Sequence, residues 1–261
     1  MERENKFVRE LKAHMKTDVP VIYLDTCAST NTYVKELAKA GANHGTVVVA
    51  GSQTAGRGRM GRSFFSPDNS GLYMSILLRP LLSAAASLEI TTAAAVAMTR
   101  VIKEHSCGDV GIKWVNDIYV NMKKVCGILT EAAVKPDGML DFAVLGIGVN
   151  LFMPEGGFPD DIRDIAASVF DTASDEIVKA RFCARVTDEF FSLYPLIGKN
   201  MIVDEYRENS LVIGKKINVI KADGAYPAEA LDVTRDYSLS VKYEDGTSDT
   251  INSGDVSIRL K

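Results

Sequence analysis

The hydrophobic and polar positions before residue 41 predict a helix, a strand and a second helix. Apolar residues recur every fourth position from Phe7 to Met15, a spacing typical of one face of an amphipathic helix. The apolar run at 20–25 predicts a buried strand. Polar residues 29–31 then offer helix N-caps, and the helix that they begin is expected to end near Ala40. These three side chains could act as caps alone or also bind a ligand, because a helix N-terminus presents free N–H groups.

The middle of the chain predicts a sheet covered by helices. Tight connections join most of its successive strands, which are predicted at 72–78, 111–114, 118–120, 125–132 and 140–149. An alanine-rich apolar segment from about 88 to 105 predicts a buried helix, and a longer amphipathic helix capped by Ser174 is expected to reach Tyr194. Because hairpins produce antiparallel neighbours, we expect a mixed, largely antiparallel sheet with helices packed on it, an α+β fold.

After about Ile213 the pattern changes to short strands separated by tight turns. They are predicted at 216–221, 228–233, 238–243, 247–252 and 256–260. About fifty residues with this pattern predict a small β-barrel. The chain is therefore expected to form two domains, a larger one at 1–212 and the barrel at 213–261.

Composition and charge are those of an ordinary globular protein. Of the 261 residues, 46% are hydrophobic and 25% charged, and the formal net charge of −4 lacks the basic footprint of a nucleic-acid binder. Four cysteines occur without a C-x-x-C pair, which argues against a zinc site or a disulfide framework. No apolar run approaches the roughly 20 residues of a membrane span. We expect a cytoplasmic protein that binds neither membranes nor specific DNA.

One stretch, Gln53–Arg62, has the opposite charge to the chain as a whole. It places three glycines and three arginines in seven consecutive positions directly after the apolar run 46–50. Glycines let backbone amides approach a ligand and arginines supply forked donors, so the stretch predicts a binding loop for carboxylate or phosphate; a flexible solvated loop is the alternative. Its G-x-G-x-x-G spacing matches a dinucleotide-binding motif and nearly matches a P-loop. Both motifs require a helix where residues 63–69 lead into a turn, so we reject both.

Five motifs occur in order over about 120 residues. They are Ser29-Thr30-Asn31, Gly56-Arg57-Gly58-Arg59-x-Gly61-Arg62 with Ser66-Pro67, Lys113-Trp114-x-Asn116-Asp117, Lys123-Lys124-Val125-Cys126-Gly127-Ile128-Leu129 and Gly146-Ile147-Gly148-Val149-Asn150. In this combination the chain resembles the biotin–protein ligases. The resemblance covers nearly the whole chain and implies a class II synthetase-like catalytic domain followed by an SH3-like barrel. The chain departs from the family pattern at Met60, Phe64, Val115 and Asp255, where arginine, tryptophan, proline and glutamate are common.

The resemblance implies a two-step reaction in one site. The biotin carboxylate attacks the α-phosphate of Mg-ATP, which gives biotinyl-5′-AMP and pyrophosphate, and a lysine of a biotin carboxyl carrier domain then attacks the adenylate. Because two anions meet in the first step, cations must offset their repulsion. The implied catalytic residues are Lys124, Arg59 and Arg57. Spacing alone does not separate Lys123 from Lys124; the family pattern selects Lys124.

The same resemblance implies which residues bind each substrate. For biotin they are Ser29, Thr30, Asn31, Gln53, Gly56, Arg57, Gly58, Arg59, Lys124, Gly127, Gly146 and Gly148. For ATP and the adenylate they are Arg59, Arg62, Phe64, Lys113, Asn116, Lys124 and Asn150. Asp117 is the candidate ligand for Mg²⁺, because hard cations take carboxylate oxygens.

The resemblance also bears on partners and on rival functions. Only about 18 residues precede the first predicted strand, fewer than the winged helix with which some members repress transcription, so we expect a monofunctional ligase, monomeric or homodimeric. One alternative is a lipoate–protein ligase or octanoyl transferase, which shares the scaffold. Another is an anion-binding or regulatory protein without turnover. Pyrophosphate release that depends on biotin and not on lipoate would separate the three.

Overall fold

The computed structural model describes residues 6–221, 223–252 and 254–258, which form five α-helices and twelve strands in two sheets. The helices are α1 (Lys6–His14), α2 (Thr30–Lys39), α3 (Ser87–His105), α4 (Glu176–Leu193) and α5 (Val203–Glu208). The first sheet contains β1 (Val21–Cys27), β2 (Val47–Gln53), β3 (Gly71–Leu78), β4 (Val110–Lys113), β5 (Asp117–Val120), β6 (Lys123–Val134) and β7 (Leu140–Asn150). The second contains β8 (Lys216–Lys221), β9 (Gly224–Val233), β10 (Leu239–Tyr243), β11 (Ser248–Ile251) and β12 (Asp255–Ile258).

The seven-stranded sheet has the order β1-β2-β3-β7-β6-β5-β4. β1 and β2 are parallel because α2 carries the chain back between them, and the other neighbouring pairs are antiparallel. The expected α+β fold with a mixed, largely antiparallel sheet is confirmed.

Alternate residues of the strands face two different layers of helix, as the two-residue period of a strand requires. Val47 and Val49 pack with α1, α3 and α4 in the main hydrophobic core. Val48 faces the other way and packs with Val34 and Ala38 of α2. α2 covers only part of this face of the sheet, and a cleft lies on the part that it leaves uncovered.

The expectation that Ser174 caps α4 is wrong. Asp175 is the N-cap residue, and its carboxylate accepts hydrogen bonds from the backbone N–H groups of Ile177 (2.7 Å) and Val178 (3.3 Å). Both neighbours have side chains suited to capping, and a carboxylate has the additional advantage of facing the positive end of the helix dipole.

The second sheet is antiparallel, with the order β11-β10-β9-β8-β12, and it shares a hydrophobic core with the first. The expected small C-terminal sheet is thus present, while residues 259 and 260 of its last predicted strand lie outside the described residues. The buried Trp114 indole donates to the carbonyl of Tyr237 at 2.9 Å, and the Tyr206 hydroxyl donates to the carbonyl of Val115 at 3.2 Å. A single hydrophobic cluster runs through both sheets. Closure into a barrel and the boundary at 212/213 stay predictions.

Among the residues with described structure, no helix is both long and apolar enough to cross a bilayer.

Candidate active site

A cleft open to solvent lies between the start of α2, the Gly/Arg loop and strands β6 and β7. Most of the predicted site residues line it, although they come from motifs far apart in the chain. They are Ser29, Thr30, Asn31, Gln53, Arg57, Gly58, Arg59, Arg62, Phe64, Asn116, Asp117, Lys124, Gly127, Gly146 and Gly148.

Three predicted site residues lie outside this lining. Gly56 packs against its own loop, where an added Cβ would come 2.4 Å from the carbonyl oxygen of Phe64. The Lys113 ammonium lies 5.7 Å from the ring centroid of Tyr119 on the neighbouring strand. Asn150 ends β7, and its carbonyl accepts from the N–H of Val169 at 2.9 Å. Contact of these three residues with substrate stays a prediction.

The start of α2 forms a buried polar cluster instead of a simple cap. Ser29 is the N-cap residue, yet its side chain makes no capping hydrogen bond. The N–H and hydroxyl of Thr30 both donate to Gln53 Oε1, at 2.8 and 3.1 Å. The Ser75 hydroxyl lies 2.7 Å from Thr30 Oγ1 and 2.6 Å from Asn31 Oδ1. Sequence reasoning missed Ser75, which belongs to no motif and reaches the cluster from the middle of β3.

Glycines from β6 and β7 form a flat wall on one side of the cleft. Gly127 and Gly148 are register partners, and Gly146 pairs with Leu129. A Cβ on Gly146 would come 2.1 Å from Asn31 Oδ1, and one on Gly148 would come 2.7 Å from the Phe64 ring. These positions therefore need glycine because other groups approach the backbone closely.

The Gly/Arg loop closes on itself through backbone hydrogen bonds. The Gly58 N–H donates to the Arg62 carbonyl at 2.7 Å, and the Phe64 N–H donates to the Gly56 carbonyl at 2.9 Å. Between them Met60 and Gly61 adopt left-handed conformations, with φ of 53° and 74°. The chain then continues to β3 without an intervening helix, which confirms the rejection of the P-loop and dinucleotide motifs.

Arg59 joins this loop to both sheets. Its guanidinium donates to Asn116 Oδ1 and to the carbonyl of Gly254, each at 2.8 Å. Asn116 follows β4, whereas Gly254 immediately precedes β12 of the second sheet. The loop is thereby attached to both sheets at one side of the cleft.

Lys124 owes its orientation to an irregularity in β6. The register with β5 shifts so that Ile118 pairs with Cys126 and Tyr119 pairs with Lys124, and Val125 and Cys126 both pack in the core. In a regular strand, Lys124 and Gly127 would point to opposite faces, because they are three residues apart. Val125 is an extra residue, a β-bulge, and it brings both Lys124 and Gly127 to the cleft face.

Lys124 is also held by its neighbours in the cleft. Its ammonium lies 2.7 Å from Asp117 Oδ1, which also accepts from the Asn116 amide at 3.0 Å. The Lys124 backbone bonds to Ile165 and Ala167 (2.7 and 2.9 Å), so the connection after β7 braces this position.

Sequence reasoning missed an ionic group directly beside the cleft. Glu131 accepts from Asn31 Nδ2 at 2.9 Å and pairs with the Lys35 ammonium at 2.5 Å and with Arg57 at 3.2 Å. Burial alone would raise the pKa of Glu131, but hydrogen bonds from Lys35 and Asn31, with the charges of Lys35 and Arg57, lower it below 4.5. One available signal was that Glu131 lies four residues after Gly127, on the same strand face.

The chain is similar to known proteins over most of its length. Residues 23–150 match the model of the biotin/lipoate A/B protein ligase family. The chain is 33% identical over 255 residues to the bifunctional ligase/repressor BirA of Bacillus subtilis. The aligned region covers 95% of this chain and 78% of that relative. The chain belongs to the biotin/lipoate A/B protein ligase family. A biotin–[acetyl-CoA-carboxylase] ligase of Mycobacterium tuberculosis is 29% identical over 203 residues, 73% of this chain and 71% of that relative.

Solved structures agree with this assignment at the level of the fold. A biotin protein ligase from Aquifex aeolicus, in complex with biotin and ATP, matches with a TM-score of 0.69 and 24% identity, covering 93% of this chain and 99% of that one. The expected family and the enzyme class of ligase are confirmed.

Proposed function

We propose that this biotin protein ligase joins biotin to ATP to give biotinyl-5′-AMP and pyrophosphate, and then transfers the biotinyl group to a lysine of a biotin carboxyl carrier domain. The observation that carries the proposal is the composition of one cleft. A neutral, buried polar cluster at one end adjoins cationic side chains at the other, around Lys124.

Biotin has a neutral ureido ring at one end and a carboxylate at the other. A ureido group both donates and accepts hydrogen bonds, and Thr30, Asn31 and Gln53 offer both kinds of partner. The Phe64 ring, which packs on Gly148, offers an apolar surface for the compact ring system of biotin next to that group. The carboxylate end of biotin would then point toward the cations.

In the first step a biotin carboxylate oxygen attacks the α-phosphorus of ATP, and the bond to the bridging oxygen of the leaving pyrophosphate breaks. Lys124, Arg57, Arg59 and Arg62 would offset the repulsion of the two anions and the charge that builds on phosphorus. The contact of Lys124 with Asp117 holds its ammonium in the cleft, where the reacting groups would lie. In the second step the carrier amine attacks the acyl carbon, loses a proton and displaces AMP.

The lining of the cleft includes one carboxylate, that of Asp117. Across the residues whose structure is described, no three His, Cys, Asp or Glu side chains cluster as a metal site. Mg²⁺ commonly binds one or two protein carboxylates together with phosphate oxygens, so Asp117 would hold it alongside ATP. The ion would supply positive charge at the phosphates.

The test combines pyrophosphate release with transfer. Purified protein is given ATP and either biotin, lipoate or no acid, with pyrophosphate measured by a coupled assay. A second assay adds an apo carrier domain and detects biotin on its lysine by streptavidin binding. We expect pyrophosphate with biotin alone, and labelling only when biotin, ATP and carrier are all present. Equal release with lipoate, or release without any acid, would refute the proposal.

A further inference from the structure

Glu131 and Lys35 lie beside the cleft, outside its lining; Glu131 contacts Arg57 and Asn31 within it, and Lys35 contacts Glu131. Lys35 follows Asn31 by four residues on α2, so the two side chains leave the same side of the helix. Glu131 leaves β6 toward them, with 18% of its side chain exposed against 28% for Lys35. Because both side chains are mostly buried, solvent screens this ion pair less than it screens an exposed surface pair.

The two carboxylate oxygens of Glu131 have different partners. Oε2 accepts from the amide of Asn31, which fixes the orientation of a residue in the buried polar cluster. Oε1 faces Lys35 and Arg57 together, at 2.5 and 3.2 Å. One carboxylate thus serves two cations, and the group has a net charge of +1.

Arg57 is the more loosely held of the two cations. Its side chain is 47% exposed, its contact with Glu131 is the longer one, and it belongs to a glycine-rich loop. Under the proposed function, Arg57 also faces the biotin carboxylate. Arg57 can turn to that carboxylate at low cost only if Glu131 keeps another cation, because an unpaired, partly buried carboxylate is costly. Lys35 is that cation.

We propose that Lys35 and Glu131 are positioning residues for biotin binding: Glu131 orients Asn31 and holds Arg57 in the empty cleft, and Lys35 compensates Glu131 when Arg57 turns to the biotin carboxylate. This inference rests on the proposed function. Neither residue contacts the substrate itself.

The first experiment measures biotin binding to the full chain by calorimetry. Lys35→Met should weaken binding by about tenfold, because Arg57 must then either stay with Glu131 or leave it without a cation. Lys39→Met is the matched control, since Lys39 lies one turn further along α2 and pairs with Glu36 at the surface. It should bind biotin as the unchanged chain does.

Two further measurements separate charge compensation from a general disturbance of α2. Biotinamide, in which a neutral amide replaces the carboxylate, should bind Lys35→Met and the unchanged chain equally. Adding Glu131→Gln should cancel most of the effect of Lys35→Met, because glutamine still accepts from Asn31 but carries no charge that needs Lys35.

The outcomes are distinct. Equal weakening for biotin and biotinamide, no weakening at all, or an undiminished loss in the Glu131→Gln background would each overturn the inference while leaving the proposed function intact. Failure of the unchanged chain to bind biotin would instead refute the proposed function, and the inference would fall with it.

Discussion

Lys123 and Lys124 are adjacent and carry the same charge, yet they differ in their surroundings. Lys124 lines the cleft and pairs with Asp117, whereas Lys123 is exposed beyond it. Lys124→Met should lower biotin-dependent pyrophosphate release by about 100-fold or more, because a cation at the reacting phosphate would be lost. Lys123→Met should stay within about twofold of the unchanged chain. Equal losses in the two variants would show that the assignment to Lys124 is wrong.

Gly146 offers a second test at the scale of one residue. An added Cβ would come 2.1 Å from Asn31 Oδ1, and Asn31 is held in place by Glu131 and Ser75. Gly146→Ala should therefore destabilise the protein by about 1–3 kcal/mol and weaken biotin binding. Adding Asn31→Ala removes the colliding side chain, so it should recover stability in urea denaturation without recovering biotin affinity. Unchanged stability in Gly146→Ala would contradict the close approach.

At the scale of elements, the hydrophobic pattern correctly predicts strands β3 to β7 of the first sheet, with small differences at their ends. It does not predict the irregularity in β6, because Val125 and Cys126 belong to a continuous apolar run in which a break in alternation leaves no mark. The cap of α4 was missed for a related reason, since Ser174 and Asp175 are both good caps. The group around Glu131 was missed because it joins residues 96 and 100 positions apart, a proximity that only the topology of the sheet creates.

The Gly/Arg loop leads to a prediction about motion. Its three arginines all line the cleft, and their mutual repulsion falls when anions bind. We expect residues 53–66 to exchange their amide hydrogens more slowly with biotin and ATP bound than in the empty protein, since a loop held more firmly would also keep water from the adenylate. Hydrogen exchange with mass spectrometry measures both states, and strands β8–β10 serve as an internal reference. Equal protection in the two states would count against closure.

The packing of α3 on α4 and α5 includes an ionic network with a defined pH dependence. Glu189 accepts from Arg100 at 2.7 Å and from Arg185. Burial alone would raise the pKa of Glu189, but these two hydrogen bonds and the charges of both arginines lower it below the usual 4.5. A lowered pKa means that the contribution to stability is complete above 4.5 and is lost as the pH falls through the folded-state value.

Glu189→Gln should thus lower the free energy of unfolding by about 1–2 kcal/mol at neutral pH. The difference from the unchanged chain should shrink as the pH drops below 4.5. Urea denaturation over a pH series measures this, with Glu104→Gln as the control, because Glu104 binds Arg185 at a more exposed position. A difference independent of pH would refute the ionic explanation.

At the scale of the whole molecule, the question is whether the two sheets unfold together. Trp114, the only tryptophan, is 1% exposed at their junction and donates to the carbonyl of Tyr237, in the turn between β9 and β10. The Tyr206 and Tyr237 rings meet edge to face beside it, at 5.8 Å between centroids, and one hydrophobic cluster spans both sheets. Separation of the sheets would wet the Trp114 indole and shift its fluorescence to longer wavelength.

Because the shared core is continuous and the contacts between the sheets are buried, we expect a single cooperative transition. In a urea titration the fluorescence shift of Trp114 and the loss of helical circular dichroism should then have the same midpoint and the same slope. Helical signal reports mainly on α3 and α4, which pack on the first sheet, so the two probes follow different parts of the molecule. A fluorescence shift at lower urea than the loss of helix would mean that the second sheet detaches first. In that event Arg59, which bonds to Gly254 beside β12, would lose one of its two anchors before the first sheet unfolds.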